Sequence, residues 1–247
     1  MASDYCALGS ARLARTPSIL GSVIGRLPVV LCMATAVLLG ACGLVDEAAS
    51  PNERSVSIQT TGCGHVSKTK GSGVAVGGDI VVTVAHLVIG ASTVRVTIRD
   101  AGEHPGAIVA LDTSTDLALI LVPGLDVPPV DMADRWGGGR VLIVGGLRSG
   151  MVEAHIRRQV PVVIEEIGGQ NRYQRDGYEV DAATGRGDSG AGLYEDNSLL
   201  GVVFATSTDE DRTTWVTSSA EIIKLLAGGW ESEYLCDKEA SRVVRSD

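Results

Sequence analysis

Residues 184–195, TGRGDSGAGLYE, set Gly185, Gly187, Gly190 and Gly192 around the pair Asp188-Ser189. Glycine costs roughly 0.5–1 kcal/mol relative to alanine in regular structure, so such a cluster marks backbone that needs positive φ or must be closely approached. By itself the stretch has two readings. It is a turn between strands, built from the commonest turn residues, or it is a shaped loop that presents Ser189 as a nucleophile. His86 closes the run TVAH, and Asp116 stands near the start of TDLALI. Taken singly, each reads as structural, a histidine at a strand end and an aspartate in a turn. The chain has only four histidines, however, and His65, His104 and His155 lie in polar segments without comparable surroundings. Cys63-x-His65 supplies two possible zinc ligands, but a zinc site takes about four and no second cluster follows.

The segments around these residues must supply the scaffold. GSGVAVGGDIVVTVAH reads as a strand, a turn at Gly77-Gly78 and a second strand running into His86. ASTVRVTIRD alternates apolar and polar residues as a half-buried strand does, and GAIVALD follows it. TDLALILV, GRVLIVGG, RRQVPVVIEEI, GYEVDA, AGLYE and LLGVVFATS add further strands at short spacing. Only SSAEIIKLLAGG has helical periodicity, with a serine cap before it and Gly228-Gly229 after it. Abundant Val and Ile, 31 glycines and no heptad pattern agree with a mainly β chain of 247 residues, long enough to bury a real core. A net charge of −9 without a clustered basic face excludes a nucleic-acid surface.

The N-terminus reads as a targeting segment. Arg12, Arg15 and Arg26 precede LPVVLCMATAVLLGAC, in which the fifteen residues from Leu27 to Ala41 carry no charge. A spanning helix needs about 20 apolar residues, so the stretch suits a signal-peptide core better than a membrane span. Its end, Leu39-Gly40-Ala41-Cys42, resembles the lipobox of bacterial lipoproteins, which implies lipidation of Cys42 and removal of residues 1–41. A plain signal peptide or an uncleaved anchor is the alternative. Loss of three arginines and Asp4 would leave 18 basic and 29 acidic side chains, or −11. Cys6 and Cys32 would leave with the leader, so Cys63 and Cys236 are the thiols left for an exported disulfide. That bridge would close a loop of 173 residues, and in the chain-entropy model it contributes at most about 5 kcal/mol. Residues 43–60, GLVDEAASPNERSVSIQT, are polar and read as a flexible tether, so residues 42–62 are expected to link the lipid to a domain over 63–236, with 237–247 as a tail.

The order TVAH, TDLALI, GDSG resembles the chymotrypsin-like (trypsin-fold) serine proteases, most of all the compact bacterial members of the HtrA type. GSGVAV before the histidine, VDAATGRGDSGAGLYE around the serine and LLGVVFATS after it extend the resemblance over about residues 63–226. It implies two six-stranded antiparallel β-barrels with a C-terminal helix and a catalytic triad of His86, Asp116 and Ser189. The imidazole of His86 would accept the serine proton and Asp116 would hold the other ring nitrogen. The backbone N–H groups of Gly187 and Ser189 would form the oxyanion hole. Ala183, six residues before the nucleophile, would lie at the floor of the substrate pocket, and Phe204, Ala205 and Thr206 along its wall. No acid at position 183 favours a small or medium apolar residue over Lys or Arg at the cleaved bond. The substrate is a polypeptide, and neither metal nor cofactor is implied.

The chain also departs from the family pattern. Leu87 replaces the cysteine that follows the histidine in animal members, and Gly190-Ala191-Gly192 replaces Gly-Gly-Pro. A lipidated N-terminus cannot pair with the loop aspartate, so an internal cation such as Arg140 is expected to face Asp188. The sequence runs about twenty residues beyond the helix, so substrate tethering by the PDZ domains of HtrA proteins is not expected. Two non-enzymatic readings stay open: a catalytically silent relative that binds peptides or a partner protein, and an adhesion loop, since Arg186-Gly187-Asp188 resembles integrin-binding tripeptides.

Overall fold

A computed structural model describes residues 49–62, 68–147, 150–165, 171–207 and 212–228. The leader 1–41, Cys42, Cys63, His65, Cys236 and the tail 237–247 lie outside the described residues.

After a helical turn α1 (Pro51–Arg54), strands β1 (Ser55–Gly62), β2 (Thr69–Gly77) and β3 (Ile80–Thr83) lead to a second turn, α2 (Ala85–Val88). β4 (Ala91–Ile98), β5 (Gly102–Asp112) and β6 (Leu117–Leu121) complete the first half. β7 (Val141–Gly145), β8 (Gly150–Glu165), β9 (Arg172–Asp181), β10 (Gly192–Glu195), β11 (Ser198–Thr206) and β12 (Thr213–Ser218) form the second, followed by helix α3 (Ser219–Ala227). Each half closes on itself as a six-stranded antiparallel barrel, in the order β1-β2-β3-β6-β5-β4 and β10-β11-β12-β9-β8-β7. Two barrels and a C-terminal helix were the expected architecture.

Alternation explains most strands. In β4, Val94 and Val96 are buried while Arg95 and Thr97, which alternate with them, are exposed, the period of two that puts one face of a strand in a core. In β6, Leu117, Ala118, Leu119 and Ile120 are all buried, because α3 packs over this strand and takes up its outer face. The helix is capped by the Ser218 hydroxyl, which accepts the Ala220 N–H at 3.2 Å. Val144, Tyr194, Leu199 and Val202 of the second barrel join the apolar cluster of the first, so a dry seam runs between the two.

One boundary differs from expectation. Residues 55–62, assigned above to a flexible tether, form β1 and pair with both β2 and β4. Val56, Ile58 and Thr60 are buried in alternation, a short signal embedded in a polar segment. Arg54 is 2% exposed and donates to the carbonyls of Ala75, Pro128 and Pro129, which ties α1 to the same body. The barrel thus begins before Cys63. β12 and the first half of β8 were likewise not anticipated as strands.

Candidate active site

The three residues singled out for chemistry sit on elements that hold them in different ways. His86 does not end a strand as expected: β3 stops at Thr83, and the histidine lies within α2. That turn buries Ala85, Leu87 and Val88 and leaves the imidazole outward, its side chain 35% exposed. Leu87, the residue in place of a cysteine, is thereby part of the core.

Asp116 lies in the turn between β5 and β6. Asp112 builds this turn. Its Oδ1 accepts from the N–H of Ser114 at 2.8 Å and from its hydroxyl at 2.6 Å, and its Oδ2 accepts from the Thr115 hydroxyl at 2.7 Å. Burial pushes the Asp112 carboxyl up, but these hydrogen bonds from Ser114 and Thr115 outweigh it and hold the group below the usual carboxylate range. The turn delivers Asp116 at φ 55°, a left-handed conformation that aspartate tolerates better than most residues. Asp116 is 5% exposed, and both its carboxylate oxygens are engaged. Oδ1 accepts the His86 backbone N–H at 2.9 Å, and Oδ2 stands 2.8 Å from His86 Nδ1. A carboxylate only accepts, so Nδ1 carries the shared hydrogen, and in the neutral ring the lone pair falls on Nε2, away from Asp116. The Asp116 carbonyl also accepts from Ala85 N at 3.0 Å, which locks the two segments together.

Ser189 belongs to the second barrel, in the loop between β9 and β10. Within the loop, Asp188 N donates to Gly185 O at 3.0 Å and Ala191 N to Asp188 O at 2.9 Å, while Gly190 N reaches Val203 O at 2.7 Å. The N–H groups of Gly187 and Ser189 have no acceptor among the described residues. Gly187 has φ +98° and Gly190 φ +85°. A Cβ on Gly190 would fall 1.9 Å from Ser72 O, so no other residue fits there.

That oxygen belongs to the first barrel, which holds the loop from outside together with Val203 of β11. Ser72, fully buried in β2, donates its N–H to Ser189 O at 2.8 Å and its hydroxyl to Gly187 O at 2.8 Å. Thr83 donates to Ser72 O at 2.7 Å. Sequence reasoning gave Ser72 no role. The available signal was a small polar residue between Gly71 and Gly73, just ahead of the apolar run Val74–Val76.

Arg140 does not face Asp188 as expected. Its guanidinium pairs with Glu153 at 3.1 Å on the exposed edge of β7 and β8. The Asp188 carboxylate instead turns inward and accepts the Gly185 N–H at 2.8 Å.

The expected pocket residues divide into two groups. Phe204 lines a groove of about 570 Å³ together with Arg158, Val160, Pro161, Val162, Val163 and Trp215. Thr206 instead joins a hydroxyl cluster: Thr184 Oγ1 lies 2.7 Å from Thr206 Oγ1 and 2.6 Å from Thr214 Oγ1, and the latter donates to Ala182 O at 3.1 Å. Ala183, between Ala182 and Thr184, and Ala205, beside Thr206, are adjacent to this cluster in the chain. Nothing in the sequence pattern pointed to Thr184 or Thr214, because it is the pairing of β12 with both β11 and β9 that brings these distant segments together.

The family model of the trypsin-like peptidase domain matches residues 71–202. The serine protease Rv3671c of Mycobacterium tuberculosis strain H37Rv is 33% identical over 167 residues, 64% of this chain and 41% of that protein. A putative serine protease of Synechocystis, HhoB, is 31% identical over 157 residues, 61% of this chain and 36% of that protein. The chain thus spans about two fifths of the curated relatives it matches. The crystal structure of the active form of the Rv3671c protease superposes with a TM-score of 0.67 at 25% identity, over 89% of this chain and 97% of that one. By the match that covers more than half of its length, this chain belongs to the trypsin-like peptidase family of serine proteases.

Proposed function

We propose that the chain is a serine endopeptidase that works through His86, Asp116 and Ser189. The Ser189 hydroxyl attacks the substrate carbonyl while His86 Nε2 takes its proton. The negative charge of the tetrahedral intermediate is met by the N–H groups of Gly187 and Ser189. Collapse expels the amine, which receives the proton from His86. Water, activated by the same imidazole, then cleaves the acyl-enzyme and restores Ser189. The observation that carries this reading is the double grip of Asp116 on His86, at 2.9 and 2.8 Å, which fixes the tautomer a general base needs. The pattern of the nucleophile loop supports it further, since the N–H groups of residues 188 and 190 have backbone acceptors and those of residues 187 and 189 have none among the described residues.

The substrate is a polypeptide with a small or medium apolar residue before the cleaved bond. Ala183 offers no charge to Lys or Arg, and its chain neighbour Thr184 is tied to Thr206 and Thr214. The apolar groove at Phe204 and Trp215 suits further substrate side chains. The enzyme is exported, anchored by lipid at Cys42 outside the cytoplasmic membrane and bridged through Cys63 and Cys236. Among the described residues no helix is long and apolar enough to cross a membrane.

A peptide library tests the reading. The wild type should cleave after Ala, Val or Leu, Ser189→Ala should not, and His104→Ala and His155→Ala should cleave normally. A preference for Arg would contradict the pocket assignment. A folded wild type that binds peptides without cleaving them would favour the silent relative. Cys42→Ala should block lipid processing, and unreduced peptides should show Cys63 joined to Cys236 within one chain.

A further inference from the structure

Arg175, on β9 of the second barrel, is 2% exposed, yet no carboxylate hydrogen-bonds to it among the described residues. Its Nη1 donates instead to the carbonyl of Thr115, the residue immediately before Asp116 in the first barrel. Its guanidinium carbon lies 3.8 Å from the ring centroid of Phe204, on the wall of the groove. Nε and Nη2 have no hydrogen-bond partner among the described residues. The charges that face it are Asp116 and Asp112 from the β5–β6 turn and Glu221 from α3. Glu221 is already committed, since it accepts the Asp176 N–H and the Lys224 ammonium, each at 3.0 Å.

A cation placed this way carries a desolvation cost that a buried apolar residue of the same volume would avoid. Burial pulls Arg175 down to about 10, against the pull of Asp116, Asp112 and Glu221, which leaves it charged at neutral pH. What the charge gains in exchange lies at Asp116. We infer that Arg175 is a positioning residue for the acid of the triad: from the opposite barrel it pins the Thr115–Asp116 peptide and supplies the countercharge for a carboxylate that is 5% exposed. The inference rests on the reading of Asp116 as the triad acid. It also links substrate to chemistry, because the Phe204 ring that lines the groove is the platform on which the guanidinium lies.

The test compares Arg175→Met, which keeps the packing on Phe204, with Arg175→Lys, which keeps the charge, both in the full chain. Arg175→Met should lose roughly 10²-fold in kcat, the scale of a misplaced catalytic group, with KM nearly unchanged. Its Tm should match or exceed that of the wild type, whereas Arg175→Lys should recover most of the activity. If the effect passes through Asp116, then in an Asp116→Asn background Arg175→Met should add less than about twofold. Wild-type kcat in Arg175→Met, an additive loss in the double variant, or equal losses in Met and Lys that follow a fall in Tm would overturn the inference. Absence of turnover in the wild type would instead defeat the assignment of the enzyme itself.

Discussion

The two barrels hold their parts of the site by different means. The first positions His86 and Asp116 largely from within, through an Asp112-built turn, a buried helical turn and two hydrogen bonds accepted by one carboxylate. The second presents Ser189 on a glycine-rich loop that leans on its neighbour, with Ser72 of the first barrel accounting for two of the contacts that fix it. The first barrel is in turn held at Thr115 by Arg175 of the second. Each barrel therefore braces the residue the other contributes, and the geometry of the site is a property of their seam. Prediction follows from where each brace acts.

The largest effect belongs to the grip inside the first barrel. Asp116→Asn should keep the fold and lower kcat about 10⁴-fold, because the ring then loses its tautomer and its counterion. Thermal unfolding beside steady-state kinetics would separate this from collapse.

Next comes the point where the second barrel's loop touches the first. Gly190→Ala puts a methyl 1.9 Å from Ser72 O at φ +85°, so the loop must move. A displacement of this kind should cost at least about 10²-fold in kcat/KM, and Tm should fall as well. Ser72→Ala is milder. It leaves Gly187 O without the Ser72 hydroxyl, at about 1–3 kcal/mol, but keeps the backbone bond to Ser189 O. If Ser72→Ala proved more damaging to activity than Gly190→Ala, the hydroxyl rather than the backbone contact would be the main brace.

Acid exposes the first barrel's turn. The Asp112 carboxyl lies lower in the fold than in the unfolded chain. Its stabilisation is therefore fully present above the unfolded pKa and disappears as pH falls through the folded one. Asp112→Asn should accordingly flatten the loss of Tm in strong acid, measured by scanning calorimetry. Smallest is Arg140→Ala, which removes an exposed pair with Glu153 and should change stability by less than about 1 kcal/mol. Loss of activity there would revive Arg140 as a support of Asp188.

Most of the scaffold was legible because alternating strands and one capped helix advertise themselves locally. The meeting of His86 and Asp116 was expected for a different reason, since TVAH, TDLALI and GDSG stand in the order that resembles a known family. β1 escaped because its alternation is only three residues long, Val56, Ile58 and Thr60, and sits in polar surroundings. Ser72, Arg175 and the Thr184–Thr206–Thr214 cluster escaped because their partners lie far away in the chain. Arg140 was a guess about charge, and charge alone does not say which carboxylate a surface arginine meets.

The central claim is that the seam activates Ser189 toward carbonyl and phosphoryl electrophiles, and a fluorophosphonate probe tests it most directly. Incubated with the folded full chain, the probe should modify one residue per molecule, mapped by peptide mass spectrometry to Ser189. Ser189→Ala should take up none, and His86→Ala should react far more slowly. A folded wild type that stays unlabelled, or a label that maps to another residue and persists in Ser189→Ala, would contradict the account.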